Sequence, residues 1–474
     1  MKKFETYLNS HWHIFITFLF TLMVWAIKDP NQSETTFGLI NMLGVFTIIL
    51  MITILLILFE NTLYTIPLYL SLLFIVNNSK MTFNTLNQFG FPFIVLFLVI
   101  LGPMIYIIKF KPKFKMRLLT LGLILITCAY MISYFMGPIN LKGLAVSGIS
   151  ILYLILYIFF SNTAKGNMDY LFKILISILL LLSAQLGIKI IDGILLHPEL
   201  SLVENLTQGS SHAWYSNFGW ANINDMNFYI ALTLPSIGYF IFKHPKNIIF
   251  WLLLLFPTAV IILSGSRGGA IGYLISLIGL FIVVLIRGKT RHYIHAFILF
   301  VLVLAIAYFS QDVLIDIYEN FIASLKGETI NNISSSRIYI YDQGLKVFKS
   351  SPLFGKGWLS ISTIKPGARL FMYHSTIIQV LAAMGLFGLV SLLVHYFQIF
   401  NIFYDHFTLE KQLIFIGYIA SQLHGLVDNV QFAVPYSLII VMIFPIIETA
   451  KKQTIFRLEK HKYIKSISIL DCIR

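Results

Sequence analysis

Residues 250–287 read FWLLLLFPTAVIILSGSRGGAIGYLISLIGLFIVVLIR, two long apolar runs joined by the short polar turn Ser264–Gly269. Each run is about long enough to cross the roughly 30 Å hydrocarbon core of a bilayer as an α-helix. The runs are continuous rather than alternating, so they differ from the strands of a membrane β-barrel. This stretch therefore predicts two transmembrane helices joined by a tight turn.

The same apolar pattern continues along the whole chain of 474 residues. Hydrophobic residues make up 58% of it, charged residues only 11%, and the mean hydropathy is +0.84. Soluble domains carry about 25% charged residues, so this composition excludes a soluble enzyme, a disordered chain and a disulfide-stapled secreted domain. We predict an all-α polytopic membrane protein with about 12–14 transmembrane helices. The runs that could form them are 11–27, 37–59, 62–76, 89–108, 117–136, 143–160, 170–191, 226–242, 248–264, 269–286, 292–309, 374–400, 411–428 and 434–449.

The positive charges predict how the helices are oriented. The net charge of +14 comes from clusters at 109–117, 243–246 and 287–291 and from the tail at 450–474. With fourteen spans, all four clusters fall on one side, and cytoplasmic loops are the ones enriched in Lys and Arg. Both termini are therefore expected in the cytoplasm, with the tail held at the lipid surface. Charges placed between apolar runs do not form the basic face of a nucleic-acid-binding domain, so no nucleic-acid partner is expected.

This topology divides the chain into six segments. Two of the connections are long and external, and long loops in a compact architecture are usually functional or disordered. The segments are N-terminal transmembrane helices at 1–191, a first external loop at 192–225, transmembrane helices at 226–309, a large external loop at 310–373, C-terminal transmembrane helices at 374–449 and the basic cytoplasmic tail at 450–474.

The large external loop is predicted to contain two amphipathic helices. The first lies at 311–325, and the second begins at Arg337 behind three serines suited to capping and stops before Pro352. Such helices are expected to lie along the outer membrane surface or to cap the bundle. The apolar face of the second would carry Ile338, Tyr341, Leu345 and Phe348.

The turn Ser264–Gly269 has the features of an anion site. Gly268 and Gly269 let the backbone approach a ligand closely, and the helix that follows presents free N–H groups at its start. Arg267 adds donors that match phosphate oxygens, with Ser266 beside it. The alternative is a tight hairpin whose arginine reaches the lipid headgroups.

Two further cations stand in the large external loop. Arg337 begins a helix, where a cation is mildly unfavourable, which suggests that it has an anionic partner. Lys356 lies between Gly355 and Gly357, in a segment that is either a phosphate-facing loop or a simple turn followed by Trp358 at the interface.

Three groups of residues near the predicted outer surface complete the candidates. His374, close to Arg369, could act as a general base near neutral pH, although a lone interfacial histidine is more often only hydrogen-bonded. Trp220, Asn222 and Asn224 could form a sugar-binding platform or belong to the aromatic belt. His424 and Asp428 lie four residues apart, which we interpret as a structural pair. No metal-ligand spacing or cofactor-binding fingerprint is present in the sequence.

Taken in chain order, these segments resemble the O-antigen ligase and Wzy-type polymerase superfamily. The resemblance covers roughly residues 205–430, where the segments share their order, spacing and external side. One departure is that the arginine-x10-glycine loops of some polymerases are absent, because Ile278 and Phe348 stand at those positions. The segments are Gly219–Asn224, Ser264–Gly269, Arg337 leading into Ser351–Gly357, and Tyr373–Ser375 with Gln379 and Gly385.

The resemblance implies a membrane-embedded glycosyltransferase that needs neither a metal ion nor a cofactor. Its donor would be a glycan on undecaprenyl diphosphate in the outer leaflet of the bacterial cytoplasmic membrane, and a chain-length regulator is a partner compatible with such an enzyme. Arg267 and Arg337 would hold the diphosphate, where positioned cations stabilise the developing charge. His374 would take the proton from the acceptor hydroxyl or align it. Substrate-binding residues of second rank would be Arg369, Lys356, Ser266, Gly268, Gly269, Trp220, Asn222 and Asn224.

Two alternatives remain open. A ligase would transfer a finished glycan to a different acceptor. The chain is rich in Ile, Lys, Asn and Phe, a composition that hints at a Gram-positive source without lipopolysaccharide. Such a source favours a polymerase that makes a capsular, exopolysaccharide or teichuronic-type polymer over a ligase. A flippase or exporter would need polar residues deep in its spans. Lys189, Glu60 and Glu448 all stand near span ends, whereas polar residues concentrate in the external loops. This distribution of polar residues favours a reaction at the outer face of the membrane over transport through the middle of the bundle.

Overall fold

The structure is a computed structural model of the chain. It describes residues 2–27, 39–76, 91–137, 139, 141–197, 199, 223–312, 314–315, 318–319, 337–358 and 373–450. These residues form α-helices and two short 3-10 helices, Thr62–Thr65 and Val430–Phe432, without a β-strand among them. In chain order the α-helices are α1 (Lys2–Leu8), α2 (His11–Ala26), α3 (Leu39–Leu58), α4 (Ile66–Val76), α5 (Phe91–Phe110), α6 (Thr120–Met136), α7 (Leu141–Thr163), α8 (Met168–Leu195), α9 (Ile223–Thr233), α10 (Ser236–Lys243), α11 (Ile249–Leu252), α12 (Leu255–Leu263), α13 (Arg267–Arg287), α14 (Thr290–Phe309), α15 (Arg337–Ser350), α16 (Thr376–Tyr404), α17 (Leu409–His424) and α18 (Val434–Thr449).

The all-α polytopic membrane architecture is confirmed. Within the described residues, helices account for most of each apolar run of the sequence. Six helices, α3, α7, α8, α13, α14 and α16, are long and apolar enough to cross a membrane, and six shorter apolar helices accompany them in the described ranges. Helices predominate because a chain in lipid must satisfy every backbone N–H and C=O internally.

Two of the predicted spans are broken. The run at 226–242 becomes α9 and α10, which meet at Leu234–Pro235, and the run at 248–264 becomes α11 and α12. Proline has no N–H to donate within a helix, so it favours a break or a position in the first helical turn. Pro235 stands at the first break, and Pro257 lies in the first turn of α12.

Helices α9, α13 and α17 pack against one another. Small residues allow close contact between helices in membranes. At Gly269 a Cβ atom would lie only 2.2 Å from the side-chain nitrogen of Asn227, and at Gly272 it would lie 3.2 Å from Nδ1 of His424. The starts of α9 and α13 and the end of α17 therefore meet at one end of the bundle, which we call the site end.

The second predicted amphipathic helix is confirmed as α15, and only part of its predicted apolar face contacts the rest of the protein. Ile338 and Leu345 are 48% and 39% exposed, whereas Gly344 and Val347 are buried against the rest of the protein. The helix packs on α16, and a Cβ atom at Gly344 would lie 2.4 Å from Ile378. Because the missing side chain of Gly344 permits this approach, the contact face is centred on a glycine that apolar periodicity does not detect.

Several predicted segments cannot be compared with the structure. Most of the first long loop, most of the first amphipathic helix at 311–325 and the tail at 451–474 lie outside the described residues. Their predicted roles, and the count of 12–14 spans, stay predictions.

Candidate functional site

The segment Ser351–Trp358 docks on a break in α16. At Gly385 the helix has φ 64° and ψ −158°, a backbone conformation open essentially only to glycine. The N–H groups of Leu386 and Phe387, next to the break, donate to the carbonyls of Pro352 and Leu353 at 2.8 and 3.0 Å. The break is thus stabilised by a neighbouring chain segment, which supplies the partners that a continuous helix would have supplied.

The same docking explains the glycines around Lys356. The N–H groups of Lys356 and Gly357 donate to the carbonyls of Ala382 and Ala383 at 2.9 and 3.1 Å, so these amides do not face a phosphate. Gly355 has φ 70°, and a Cβ atom there would lie 2.3 Å from the carbonyl carbon of Ala383. Of the predicted phosphate-facing loop, only the half-buried side chain of Lys356 keeps that possible role.

Trp358 is also placed differently from the interfacial position predicted for it. Its side chain is buried, and its ring centroid lies 4.7 Å from that of Tyr130 and 4.9 Å from that of Phe432. The residue therefore anchors the docked segment to α6 and to the turn before α18.

Replacing Gly385 with alanine is expected to undo this docking. The backbone strain costs on the order of 1–3 kcal/mol, and the added Cβ would lie 2.5 Å from the carbonyl carbon of Leu353. We expect a lower melting temperature and less folded protein in detergent. Gly148→Ala is the matched control, because a Cβ atom there meets nothing within 4 Å. Equal melting temperatures for the two variants would contradict a stabilising role for the docking of Ser351–Trp358 at Gly385.

At the site end, Asp428 joins two of the predicted site residues. Nδ1 of His374 lies 3.4 Å from Oδ1 of Asp428, and Nη2 of Arg337 lies 3.9 Å from Oδ2 of the same carboxylate. The side chains of Arg337 and His374 are 23% and 35% exposed, whereas that of Asp428 is 7% exposed. A buried carboxylate thus supports two more accessible groups that can reach a ligand.

The backbone around this triad is held in place by hydrogen bonds. The N–H of Thr376, at the start of α16, donates to the carbonyl of Gly425 at 2.8 Å, which ties the His374 segment to the Asp428 segment. The side chain of Gln379 accepts from the N–H of Tyr373 at 3.0 Å. His374 itself has φ 47°, a left-handed conformation that costs a residue with a Cβ about 1–2 kcal/mol. Such strain persists only where the surroundings impose it.

The two carboxyl groups at the site end have opposite pKa shifts. Burial alone would raise the pKa of Asp428, but the contact with His374 and the N–H of Asn429, which donates at 2.8 Å, outweigh it and hold that pKa below its usual value. Burial and the charge of Asp428 together raise the pKa of Asp225 to about 8. At neutral pH Asp428 is therefore ionised and Asp225 is protonated.

The carboxylate of Asp428 also selects the tautomer of His374. An ionised carboxylate can only accept hydrogen bonds, so Nδ1 of His374 carries the proton and Nε2 is free to accept one. The arrangement is that of a base oriented by a carboxylate.

The turn Ser264–Gly269 lies at the same end. Ser266 caps α13 by accepting from the N–H of Gly269 at 3.1 Å, and its hydroxyl donates to Asn224 at 2.5 Å. Gly268 faces the buried imidazole of His424, with 3.5 Å between a Cβ atom built there and Nε2. Arg267 is exposed at the first position of α13, a helix long enough to have a pronounced positive end.

The structure thus brings most of the described candidates together. Arg337 and His374 share one carboxylate, while Ser266, Gly269 and Asn224 form one hydrogen-bonded group at the site end. The candidates Arg369, Trp220 and Asn222 lie outside the described residues, and their roles stay predictions.

Sequence reasoning missed the part played by Asp428 and Asp225. The spacing predicts that Asp428 pairs structurally with His424, whereas the carboxylate of Asp428 also contacts His374 and Arg337. The available signal was a carboxylate at the last position of the predicted run 411–428, on the same predicted side of the membrane as Arg267 and Arg337. Asp225 stood among other polar residues and had no distinguishing spacing.

Part of the chain matches a known protein family. Residues 250–393 match the family model described as O-antigen ligase. Over these residues the chain is similar to O-antigen ligases. The match contains Arg267, Arg337 and His374, whereas Asn224 and Asp428 lie outside it. No curated protein matches the chain.

The match confirms the superfamily resemblance and supports glycan transfer of the ligase or polymerase type in general. Members of this class carry out glycan transfer of the ligase or polymerase type on lipid-linked glycans. With its apolar helices, the chain is a multi-pass membrane protein. The family match does not distinguish the polymerase from the ligase.

Proposed function

We propose that this protein polymerises undecaprenyl-diphosphate-linked oligosaccharide repeat units into a cell-surface polysaccharide. The observation that carries the proposal is the shared carboxylate of Asp428, which lies 3.4 Å from His374 and 3.9 Å from Arg337. This contact supports the proposal because it brings together an imidazole that can act as a base and a guanidinium that can bind a diphosphate, in a chain whose residues 250–393 match the O-antigen ligase family.

In the proposed step, a hydroxyl of the acceptor glycan attacks the anomeric carbon of the donor. The new C–O bond forms as the bond to the lipid diphosphate breaks, and the electron pair leaves with the diphosphate. Nε2 of His374 takes the hydroxyl proton, while Asp428 stabilises the imidazolium that results. Attack from the face opposite the leaving group inverts the anomeric configuration.

The leaving diphosphate is the second requirement of the step. Its negative charge grows in the transition state, where fixed cations and N–H donors are most effective. Arg337 supplies a guanidinium beside His374, and Arg267 supplies another at the exposed start of α13. We assign the diphosphate to these two arginines, with Lys356 and Arg369 as further contacts.

The proposal places the site end at the outer leaflet of the bacterial cytoplasmic membrane. The Lys and Arg clusters of the connections at 109–117, 243–246 and 287–291 support this orientation through the positive-inside rule. Both termini are then cytoplasmic. The donor is delivered to the outer leaflet, and a chain-length regulator could act on the growing polymer there.

The test is a gel of lipid-extracted glycan after purified protein is mixed with one undecaprenyl-diphosphate repeat unit. A ladder of products would support a polymerase. Product formed only after a second, chemically different acceptor is added would identify a ligase. No product under either condition, together with movement of the lipid-linked glycan across vesicles, would replace the proposal with a flippase.

The opposite pKa shifts at the site end lead to a prediction for Asp225. Because Asp225 is protonated at neutral pH, Asp225→Asn should keep the rate within about 3-fold of wild type, whereas Asp428→Asn should lower it by about 100-fold or more. As the pH rises through about 8, Asp225 gains a charge beside the anionic donor, so wild-type activity should fall. Asp225→Asn should keep its rate in that range.

The measurement is the initial rate of both variants and wild type from neutral to about pH 9.5, a range that brackets the raised pKa of Asp225. Equal loss of activity in the two variants at neutral pH would show that Asp225 is ionised there and would reject the assignment.

A further inference from the structure

Tyr341 occupies a central position in the triad without belonging to it. Its hydroxyl donates to the carbonyl oxygen of His374 at 2.9 Å and lies 3.4 Å from the carbonyl oxygen of Leu426. Leu426 stands two residues before Asp428. One hydroxyl thus bridges the backbone segments that carry His374 and Asp428.

Tyr341 also connects these two backbone segments to the helix that carries Arg337. The two residues are four apart on α15, so they share one face of the helix. Arg337 lies 3.9 Å from Asp428, and Tyr341 reaches the backbone on both sides of the His374–Asp428 contact. The position of the arginine relative to the histidine therefore depends on how this face of α15 is held.

The rest of α15 is held by independent contacts. Gly344 packs closely on Tyr373 and Ile378, and Val347 is buried in a small cluster with Tyr373 and Ala382. These apolar contacts keep the helix on α16 whether or not the Tyr341 hydroxyl is present. The Tyr341 hydroxyl therefore fixes the backbone segments of His374 and Asp428 relative to α15, and it is not needed to hold α15 on α16.

We infer that Tyr341 is a positioning residue, which sets the geometry of Arg337, His374 and Asp428 by pinning two backbone segments to α15. This inference rests on the proposed glycan transfer for its effect on rate, because small misplacements of catalytic groups cost large factors. Its effect on the backbone segments does not depend on that proposal.

The test compares Tyr341→Phe with Tyr339→Phe, a matched control on the same helix whose ring is 50% exposed. Tyr341→Phe removes one oxygen atom and should lower kcat per folded protein by about 10–100-fold, with KM for the lipid-linked donor within about 3-fold. Tyr339→Phe should match wild type. In the double variant with Asp428→Asn, the loss should be no greater than in Asp428→Asn alone, because both changes disturb one arrangement.

A second readout is independent of activity. Backbone hydrogen exchange at Thr376 and Asn429, whose N–H groups bond within the pinned segments, should speed up by about 5-fold or more in Tyr341→Phe and stay unchanged in Tyr339→Phe. If wild type makes no glycan product but exchange responds in this way, the proposed function fails and the positioning role stands. Unchanged exchange, a kcat per folded protein equal to that of Tyr339→Phe, or losses that multiply in the double variant would overturn the inference.

Discussion

Replacing His374 with alanine is expected to abolish product formation, with a loss in kcat of about 1000-fold. The imidazole is the group oriented by Asp428, with Nδ1 directed to the carboxylate at 3.4 Å and Nε2 left free to take a proton. Without it the acceptor hydroxyl would have to lose its proton to water in the transition state. Activity that remains would come from the arginines and from the positioning of the substrates.

The chain offers a close control for this substitution. His406 also has a left-handed backbone, with φ 51°, and its Nε2 lies 3.5 Å from the carboxylate of Asp405, but it follows the opposite end of α16. His406→Ala therefore reproduces the loss of an imidazole, a carboxylate contact and a strained residue away from the site end. The readout is the product ladder per folded protein. Similar losses in both variants would mean that His374 acts through stability rather than chemistry.

The second large effect is expected at Arg337. Arg337→Ala should lower kcat by about 100–1000-fold, the range found when a donor to a developing negative charge is removed. The loss has two parts, because the substitution removes a diphosphate contact and also leaves the buried carboxylate of Asp428 without its cation. Folded protein must therefore be measured alongside the rate.

Arg337→Lys separates these two parts. A lysine keeps the positive charge near Asp428 but lacks the planar fork that matches two phosphate oxygens at once. We expect normal folding together with a rate at least about 10-fold below wild type. Lys346→Ala is the control on the same helix, since Lys346 forms an exposed pair with Asp342 at 2.6 Å. A fully active Arg337→Lys would leave only the point charge as the function of this residue.

Much of the site end could be predicted from local sequence. Arg337 begins α15 where the sequence indicated, because the start of a helix depends on residues within one helical turn. The candidate residues on α13 and α15 were chosen for charges and N–H groups that their immediate neighbours leave unused. None of that reasoning requires knowledge of which helices touch.

The packing face of α15 shows what periodicity alone does not identify. Ile338 and Leu345 lie on the apolar face that the sequence predicts, and both are exposed in the folded chain. The contact with α16 is made instead at Gly344, where the backbone approaches Ile378 closely. In a membrane protein apolar side chains also face outward, so hydrophobicity does not identify the side that packs on another helix.

The sequence alone determined that this chain is a bundle of apolar helices with polar turns, because lipid leaves a backbone no alternative to internal hydrogen bonds. Only the tertiary structure decided that Asp428 serves His374, which is 54 positions away in the chain, and that Arg337 shares the same carboxylate. The approach of Arg337 and His374 to Asp428 depends on the close packing of α9, α13 and α17 and on the docking of Ser351–Trp358 at Gly385. These are contacts between segments distant in sequence, and they are set by the shapes of facing surfaces rather than by local pattern.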